Sequence, residues 1–430
     1  MKILYVSQYF PPEIGAPAAR VAELARLWAR RGHDVSVLTG FPNHPDGTVP
    51  PEYRGKLRRL WMRDDRDGVK VYRTWLLPFP NRKSWERMLN YASFWLSATL
   101  RGVLLPKPGV VIATSPQLLV GLAGLGIARC KRVPFVFEVR DLWPESLEAV
   151  GVSNRKSLLF RTLKQIAALL YRQADSIIVV TPPLKAHLED DWHIDPARIS
   201  VVMNGVDETL MLPEVEHSDV IAEFALADRF VVSYVGTLGN AHSVETLIES
   251  AAILQRSSPD IFFLLVGAGA ERDKLERLIR ERSLRNIRLV PPQPRVRVPR
   301  ILAASHACVV LLKKSELFKT AIPTKMLEMM ACGRPVVLGA EGESVALLTR
   351  AGAGICVPPE DPGKLAGAIQ LLRSDPQLRQ RCGKSGAKFI RQEMTRSRTA
   401  MQYLDLLSSL TGETQAATTA LEATEGSCIS

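Results

Sequence analysis

Lys325 and Glu328 lie one helical turn apart in KTAIPTKMLEMMACGRPVV, residues 319 to 337, and their types and setting point to nucleotide chemistry. The apolar run from His306 to Leu312 reads as a buried strand. An irregular stretch from Lys313 to Pro323 follows, then a helix from about Thr324 to Cys332, Gly333 at its C′ position, and a second strand, Pro335 to Leu338. In an open parallel sheet, a loop between strand and helix lies at the carboxyl ends of the strands, where ligands bind. The free N–H groups at the start of the helix, with Lys325 beside them, attract phosphate. A carboxylate one turn on can accept both hydroxyl protons of a ribose diol. A lone helical Glu is ordinarily a solvated surface residue; the surrounding unit is what marks Glu328.

The elements needed to hold such a site are present. The chain of 430 residues is long enough for two or three domains, and its 46% hydrophobic and 23% charged residues are ordinary globular composition. Six scattered cysteines form no CxxC pair and have no histidine set near them, so a reduced, cytoplasmic protein without structural zinc is expected. The amino terminus, MKILYVSQYF, reads as a first strand, not a signal peptide. No segment reaches the ~18 apolar residues of a membrane span, since Met88 to Leu105 contains Asn90 and Arg101. A net charge of +12 suits anionic partners. Charge by itself does not choose between nucleotides, lipid headgroups and nucleic acid.

Along the chain, strand Ile3 to Ser7, the loop QYFPPEIGAPA, a helix with Val21, Leu24, Ala25 and Trp28 on one face, and strand Asp34 to Thr39 make a βαβ opening. Its loop lacks GxGxxG, while Gly15 permits close backbone approach. Residues 42 to 81 look like an excursion with one strand, Val69 to Thr74, and Asp65-Arg66-Asp67 is assigned to a turn although it fits a metal-binding DxD pattern. Further strands are Val110 to Ala113, Phe135 to Val139, Ser176 to Val180 and Ile199 to Met203. After an acidic, irregular stretch the α/β pattern restarts at Phe230, with glycine loops GTLGN and GAGAERDKL following the first two strands. The reading is α/β, two doubly wound domains facing a cleft: residues 1–205, a linker at 206–228, a second domain at 229–383, a helix at 384–410 returning to the first domain, and a disordered tail at 411–430.

Two segments carry membrane-surface signals. Residues 155 to 172 hold five basic residues and no acidic ones, with a stripe of Leu159, Leu163, Ile166 and Leu170. Residues 85 to 105 hold Trp85, Tyr91, Phe94 and Trp95. Core packing explains each singly; together with the charge they predict peripheral attachment.

The motifs PPE-x-GAPA, GHDVSVLTGFPNHP, FEVRDLWPES, GTLGNAHSVETLIE, LLVGAGAERDKL and IPTKMLEMMACGRPVV, in that order, resemble a GT-B glycosyltransferase of family 4. More narrowly they resemble the bacterial L-fucosamine transferase subgroup of O-antigen, capsule and colanic-acid synthesis. The resemblance implies two Rossmann-like domains and retaining, metal-independent transfer without a cofactor. A UDP-sugar donor, an N-acetylated aminosugar by expectation, would be held by the second domain. The implied acceptor is an undecaprenyl-diphosphate-linked saccharide on the inner face of the plasma membrane; nucleic acid is not expected. Alternatives are a nucleotide-sugar 2-epimerase and a non-catalytic sugar-nucleotide-binding protein. Ribose recognition carries over to Glu328, while Thr320 stands where family members usually have an earlier glutamate. Gly236-Thr237-Leu238-Gly239-Asn240 stands where many relatives have an Arg and a Lys for the diphosphate. Lys325 and the helix start at Thr324 are the expected substitutes, with Gly15, Ala16, Gly236, Gly239, Asn240 and Gly267 lining the donor. In FEVRDLWPES, Glu138, Arg140, Asp141 and Glu145 follow a strand. Asp141 is assigned to the acceptor hydroxyl or donor sugar, Arg140 to a substrate phosphate or carboxylate, and Glu145 stands as runner-up to Asp141.

Overall fold

The apolar runs become parallel strands, as segments buried on both faces do. The computed structural model describes residues 1–13, 15–43, 47–79, 84–146 and 156–412. The first sheet contains β1 (Lys2–Val6), β2 (Asp34–Gly40), β3 (Trp61–Arg66), β4 (Val69–Thr74), β5 (Val110–Thr114), β6 (Phe135–Val139), β7 (Ser176–Val179) and β8 (Ile199–Val201). Their order is β3-β4-β2-β1-β5-β6-β7-β8. The second sheet contains β9 (Phe230–Val235), β10 (Ile261–Val266), β11 (Ile287–Val290), β12 (Ala307–Leu311), β13 (Val336–Gly339) and β14 (Gly354–Val357), in the order β11-β10-β9-β12-β13-β14. The direction of winding reverses between β1 and β5 in one sheet and between β9 and β12 in the other, and ligands of open α/β sheets bind at such switch points.

The strands missed in the sequence are short or at edges: β3, β11 and β14. β3 pairs antiparallel with β4, Arg66 opposite Val69, which leaves Asp67-Gly68 as a two-residue hairpin turn. Both turn residues have positive φ, 51° and 81°, the conformation Asp-Gly supplies in such hairpins. The Asp65-Arg66-Asp67 motif is therefore part of a hairpin, and Asp65 is spent on Arg63.

Seven helices bear on the site: α1 (Ala16–Arg30), α2 (Ser84–Leu104), α3 (Leu158–Gln173), α4 (Ser218–Phe224), α5 (Thr324–Ala331), α6 (Pro376–Glu393) and α7 (Arg396–Thr411). The domain boundaries differ from those expected. Val206 and Met211 already belong to the second domain's core, and Val220 and Phe224 of α4 pack with Val231 and Leu264 of its sheet, so 206–228 is not a free linker. No break falls at 384: α6 runs through it and buries Phe389 and Ile390 in the second domain. The chain crosses back at Thr395, after which Ala400, Tyr403, Leu404 and Leu407 of α7 join the first core. The two crossings touch, with Val206 N–H donating to Met394 O at 2.9 Å and Arg396 N–H to Val206 O at 2.7 Å. Gly205 permits this approach, since a Cβ there would stand 2.3 Å from Thr395 O. Residues 413–430 of the expected tail lie outside the described residues.

The surface signals also divide. In α3 the stripe is core: Leu163 and Leu170 are buried, and Leu159 and Ile166 pack against them. In α2, Tyr91 and Phe94 are buried and Trp95 packs on the core, so three of the four aromatics face inward. The outer face instead shows Trp85, Leu89, Leu96, Leu100 and Leu104, the last two 70% and 76% exposed. Among the described residues no helix is long and apolar enough to cross a membrane.

Glu138 points from β6 toward α1 and α7, although the Arg140 charge also bears on it. There it accepts from Tyr5 Oη at 2.6 Å, Arg20 Nη2 at 2.6 Å and the Tyr403 hydroxyl. Burial by itself would push its carboxyl up; the Arg20 charge overrides that and holds it well below the usual range. Removing one member of a buried pair strands the other, so Arg20→Met should cost about 3–5 kcal/mol in urea unfolding. A loss under about 1 kcal/mol would mean the pair does not hold α7 to the first domain.

Candidate active site

Two glycine loops form the floor of the second domain's switch point. Gly236 leaves β9 at φ 151°, in a region open to glycine, and a Cβ there would come within 3.2 Å of the Lys325 side chain. The first loop stacks on the second through Gly236 N–H to Val266 O and Leu238 N–H to Ala268 O, both 2.9 Å. Gly267 makes this stacking possible: its Cβ would fall 1.9 Å from Gly236 O. It shapes the loop that the donor was expected to touch. Gly239 and Asn240 lead into a single 3₁₀ turn, Asn240–His242.

Lys325 lies beneath this loop. Its Nζ donates to Tyr234 Oη at 2.8 Å and sits 4.3 Å from the ring centroid. Burial pushes its ammonium down to about 7. Thr324 begins α5 with no side-chain cap, which leaves the first N–H groups of the helix without intrahelical partners. His242, which the sequence reading passed over, joins the group. Burial and then the nearby Lys325 charge push its imidazole down to about 3, and Nδ1 faces Leu311 O at 3.3 Å.

Glu328 is not an unengaged carboxylate. Oε1 accepts from Arg295 Nη1 at 2.8 Å, and Arg295 Nη2 reaches Glu23 of α1 in the first domain at 2.9 Å. Glu23 Oε2 in turn accepts from Arg396 Nε at 2.8 Å. Arg295 follows β11, an element absent from the sequence reading, and only its run of prolines and arginines, PPQPRVRVPR, could have drawn notice. Thr320 does not replace a second carboxylate in this state: its hydroxyl turns back to Leu317 O at 2.8 Å, and its carbonyl accepts from Thr181 of the first domain at 2.9 Å.

Across the cleft, the carboxyl ends of β1 and β5 bring together Gln8, Asn43, Asn90 and Ser115, buried polar residues that the sequence reading also missed. Asn90 Nδ2 donates to Asn43 Oδ1 at 3.1 Å, and Asn90 Oδ1 accepts from Nε2 of Gln8, whose own Oε1 is buried without a partner. Arg140 is committed here: Nε and Nη2 both donate to Ser115 O, at 3.0 and 2.7 Å. It positions that loop, in contrast to the expected substrate anion contact. Burial pushes the Asp141 carboxyl up, partly offset by a hydrogen bond from the Ser146 hydroxyl. Glu145 Oε2 is buried with no partner. Gly15 and Ala16 open α1 and are exposed, Gly15 at φ 151°.

Two switch points thus face each other, with glycine loops and Lys325 on one and a buried polar floor on the other. The chain matches the family description "Glycosyl transferase 4-like domain" over residues 15–205 and "Glycosyl transferases group 1" over residues 218–389. It belongs to the GT-B glycosyltransferases of family 4. It is 24% identical to WcaI of Escherichia coli, a glycosyl transferase named for colanic acid biosynthesis, over 86% of this chain and 91% of that one. It is 23% identical to the glycosyltransferase WbjE of Pseudomonas aeruginosa over 62% and 64%. Among solved structures it resembles sucrose-phosphate synthase from Thermosynechococcus elongatus, with TM-score 0.76, 20% identity and coverage of 96% and 99%. HepE of Anabaena, solved with UDP and glucose, superposes with TM-score 0.72 at 18% identity, covering 95% and 100%.

Gly236→Ala forces a side chain onto Lys325 and into an unfavourable φ. By the cost of such strain it should raise donor KM about tenfold or more while circular dichroism stays unchanged. An unaltered KM would place the donor elsewhere.

Proposed function

We propose that this glycosyltransferase moves a sugar, an N-acetylated aminosugar, from a UDP donor to an undecaprenyl-diphosphate-linked saccharide in bacterial surface-polysaccharide synthesis. Transfer retains anomeric configuration and uses no metal. The observation that carries the reading is the convergence of Lys325, the uncapped start of α5 and Glu328 at one switch point. That arrangement suits a diphosphate followed by a ribose. The name of WcaI and the UDP bound to HepE support the pathway and the donor.

Glu328 keeps its second oxygen for a ribose hydroxyl while Arg295 holds the first. Lys325, the α5 terminus and the N–H groups around Gly236 and Gly239 stabilise the charge that develops on the leaving diphosphate. Asp141, its proton affinity raised by burial, faces the acceptor's reacting hydroxyl, and Glu145 offers a further acceptor oxygen beside it. The outer leucines of α2 support a lipid-linked acceptor. Leu60 and Trp61 are also exposed, Arg101 stacks 3.8 Å over Trp61, and Arg58 and Arg59 are close in sequence, so apolar and basic surface coexist on the first domain. In this reading the protein works at the inner face of the plasma membrane.

UDP release, measured with and without a lipid-linked saccharide, should require the acceptor. Acceptor-independent release of altered sugar would point instead to epimerisation, and no turnover to a binding protein. Lys325→Ala should lower kcat by on the order of 10²-fold or more, by the precedent of lost oxyanion donors; near wild-type turnover refutes its role. Replacing Leu100 and Leu104 together by Glu should abolish flotation with anionic liposomes at low salt without changing UDP binding, and unchanged flotation would remove α2 from the membrane surface.

A further inference from the structure

Lys325 is half-buried, and its ammonium has no counter-ion. Among the described residues no carboxylate lies within ion-pair distance of Nζ, whose hydrogen-bond acceptor is the neutral Tyr234 hydroxyl at 2.8 Å. That hydroxyl gives its own proton to Thr237 O at 2.7 Å. An ammonium has three N–H donors, so one phenol and the face of its ring leave it under-satisfied.

The groups around it do not supply a negative charge. From the 3₁₀ turn comes His242; from the end of β9 comes Tyr234. On its own helix Glu328 is already held by Arg295. Lys313, just past β12, acts on Glu245, and Arg272, after the second glycine loop, is engaged by Gly267 O and Glu276. An ammonium taken from water with neutral and cationic neighbours gives up its proton readily. The chain has thus built a cation site whose counter-charge must arrive from outside.

We propose that binding of the donor diphosphate is coupled to proton uptake by Lys325. This rests on the reading of the glycine loop as a nucleoside-diphosphate site. The proton comes from solvent: the neutral amine takes it up and the resulting ammonium donates to a phosphate oxygen. It is then in place when negative charge develops on the leaving group, and it returns to solvent when the nucleotide leaves.

The sign follows from the two states. Burial holds the empty-site Lys325 at about 7, and a diphosphate raises it. Affinity is therefore fully developed below that value and falls as pH rises through it toward the bound-state value. Uptake should be about half a proton at pH 7.0 and close to one at pH 8.0, if the bound value lies ~2 units or more above the empty one. His242, pushed down to about 3 by burial and by the Lys325 charge, stays neutral and takes no part.

Calorimetric titration of the full chain with UDP at pH 8.0, in buffers of different ionisation enthalpy, counts these protons. The phosphate's own second ionisation, near about 6, is complete at that pH. Wild type should take up close to one proton. Lys325→Arg, which remains charged, should take up less than half as much. Tyr234→Phe keeps the lysine but removes its hydrogen-bond acceptor, so uptake at pH 7.0 should rise toward one, which decides the attribution should arginine not fit. UDP binding without uptake in wild type, undiminished uptake in Lys325→Arg, or no rise in Tyr234→Phe would overturn the coupling. Absence of UDP binding in every buffer would overturn the donor-site reading instead.

Discussion

The cleft depends on the place where the chain passes twice between domains. Val206 and the Met394–Arg396 segment pair through backbone hydrogen bonds, at a point where Gly205 leaves no room for a side chain. These backbone bonds hold the two crossing segments together, and the contacts of Arg295 with Glu23 and of Thr181 with Thr320 keep the carboxyl edges of both sheets opposed. Tyr403 on the returning helix reaches Glu138, and that buried carboxylate also receives Arg20 and Tyr5. The first sheet, its first helix and the end of the second crossing thus share one buried charge pair.

Electrostatics then tie the crossing to the donor site. Glu23 of α1 takes Arg396, just past the crossing, on one oxygen and Arg295 on the other, and Arg295 extends to Glu328. One guanidinium therefore spans the cleft between a carboxylate of the first domain and the carboxylate assigned to ribose. Thr181 and Thr320 add a neutral bridge near the same opening.

Much of the fold was legible because parallel strands buried on both faces leave continuous apolar runs, as Phe230 to Val235 and His306 to Leu312 do. β3 was not, because its residues, WMRDDR, alternate exposed and half-buried on a sheet edge and include four charges. The helix boundary at 383/384 failed for a different reason. Nothing local interrupts Pro376–Glu393, and only packing shows which domain each part serves. In α3, an apolar stripe beside basic residues has the same pattern whether it meets a sheet or a membrane; burial of Leu163 and Leu170 decides for the sheet.

Residue type and local order by themselves determined the βαβ units, the two glycine loops, and a lysine and a glutamate at the start of one helix. Tertiary structure decided what those side chains meet. It placed Lys325 over Tyr234 without a counter-ion, gave Glu328 an arginine from a distant loop, and buried Glu138 among Tyr5, Arg20 and Tyr403. The reason is range. Periodicity and capping act over a few residues, whereas desolvation and charge pairing depend on groups brought together from far along the chain, such as Glu23, Arg295 and Glu328.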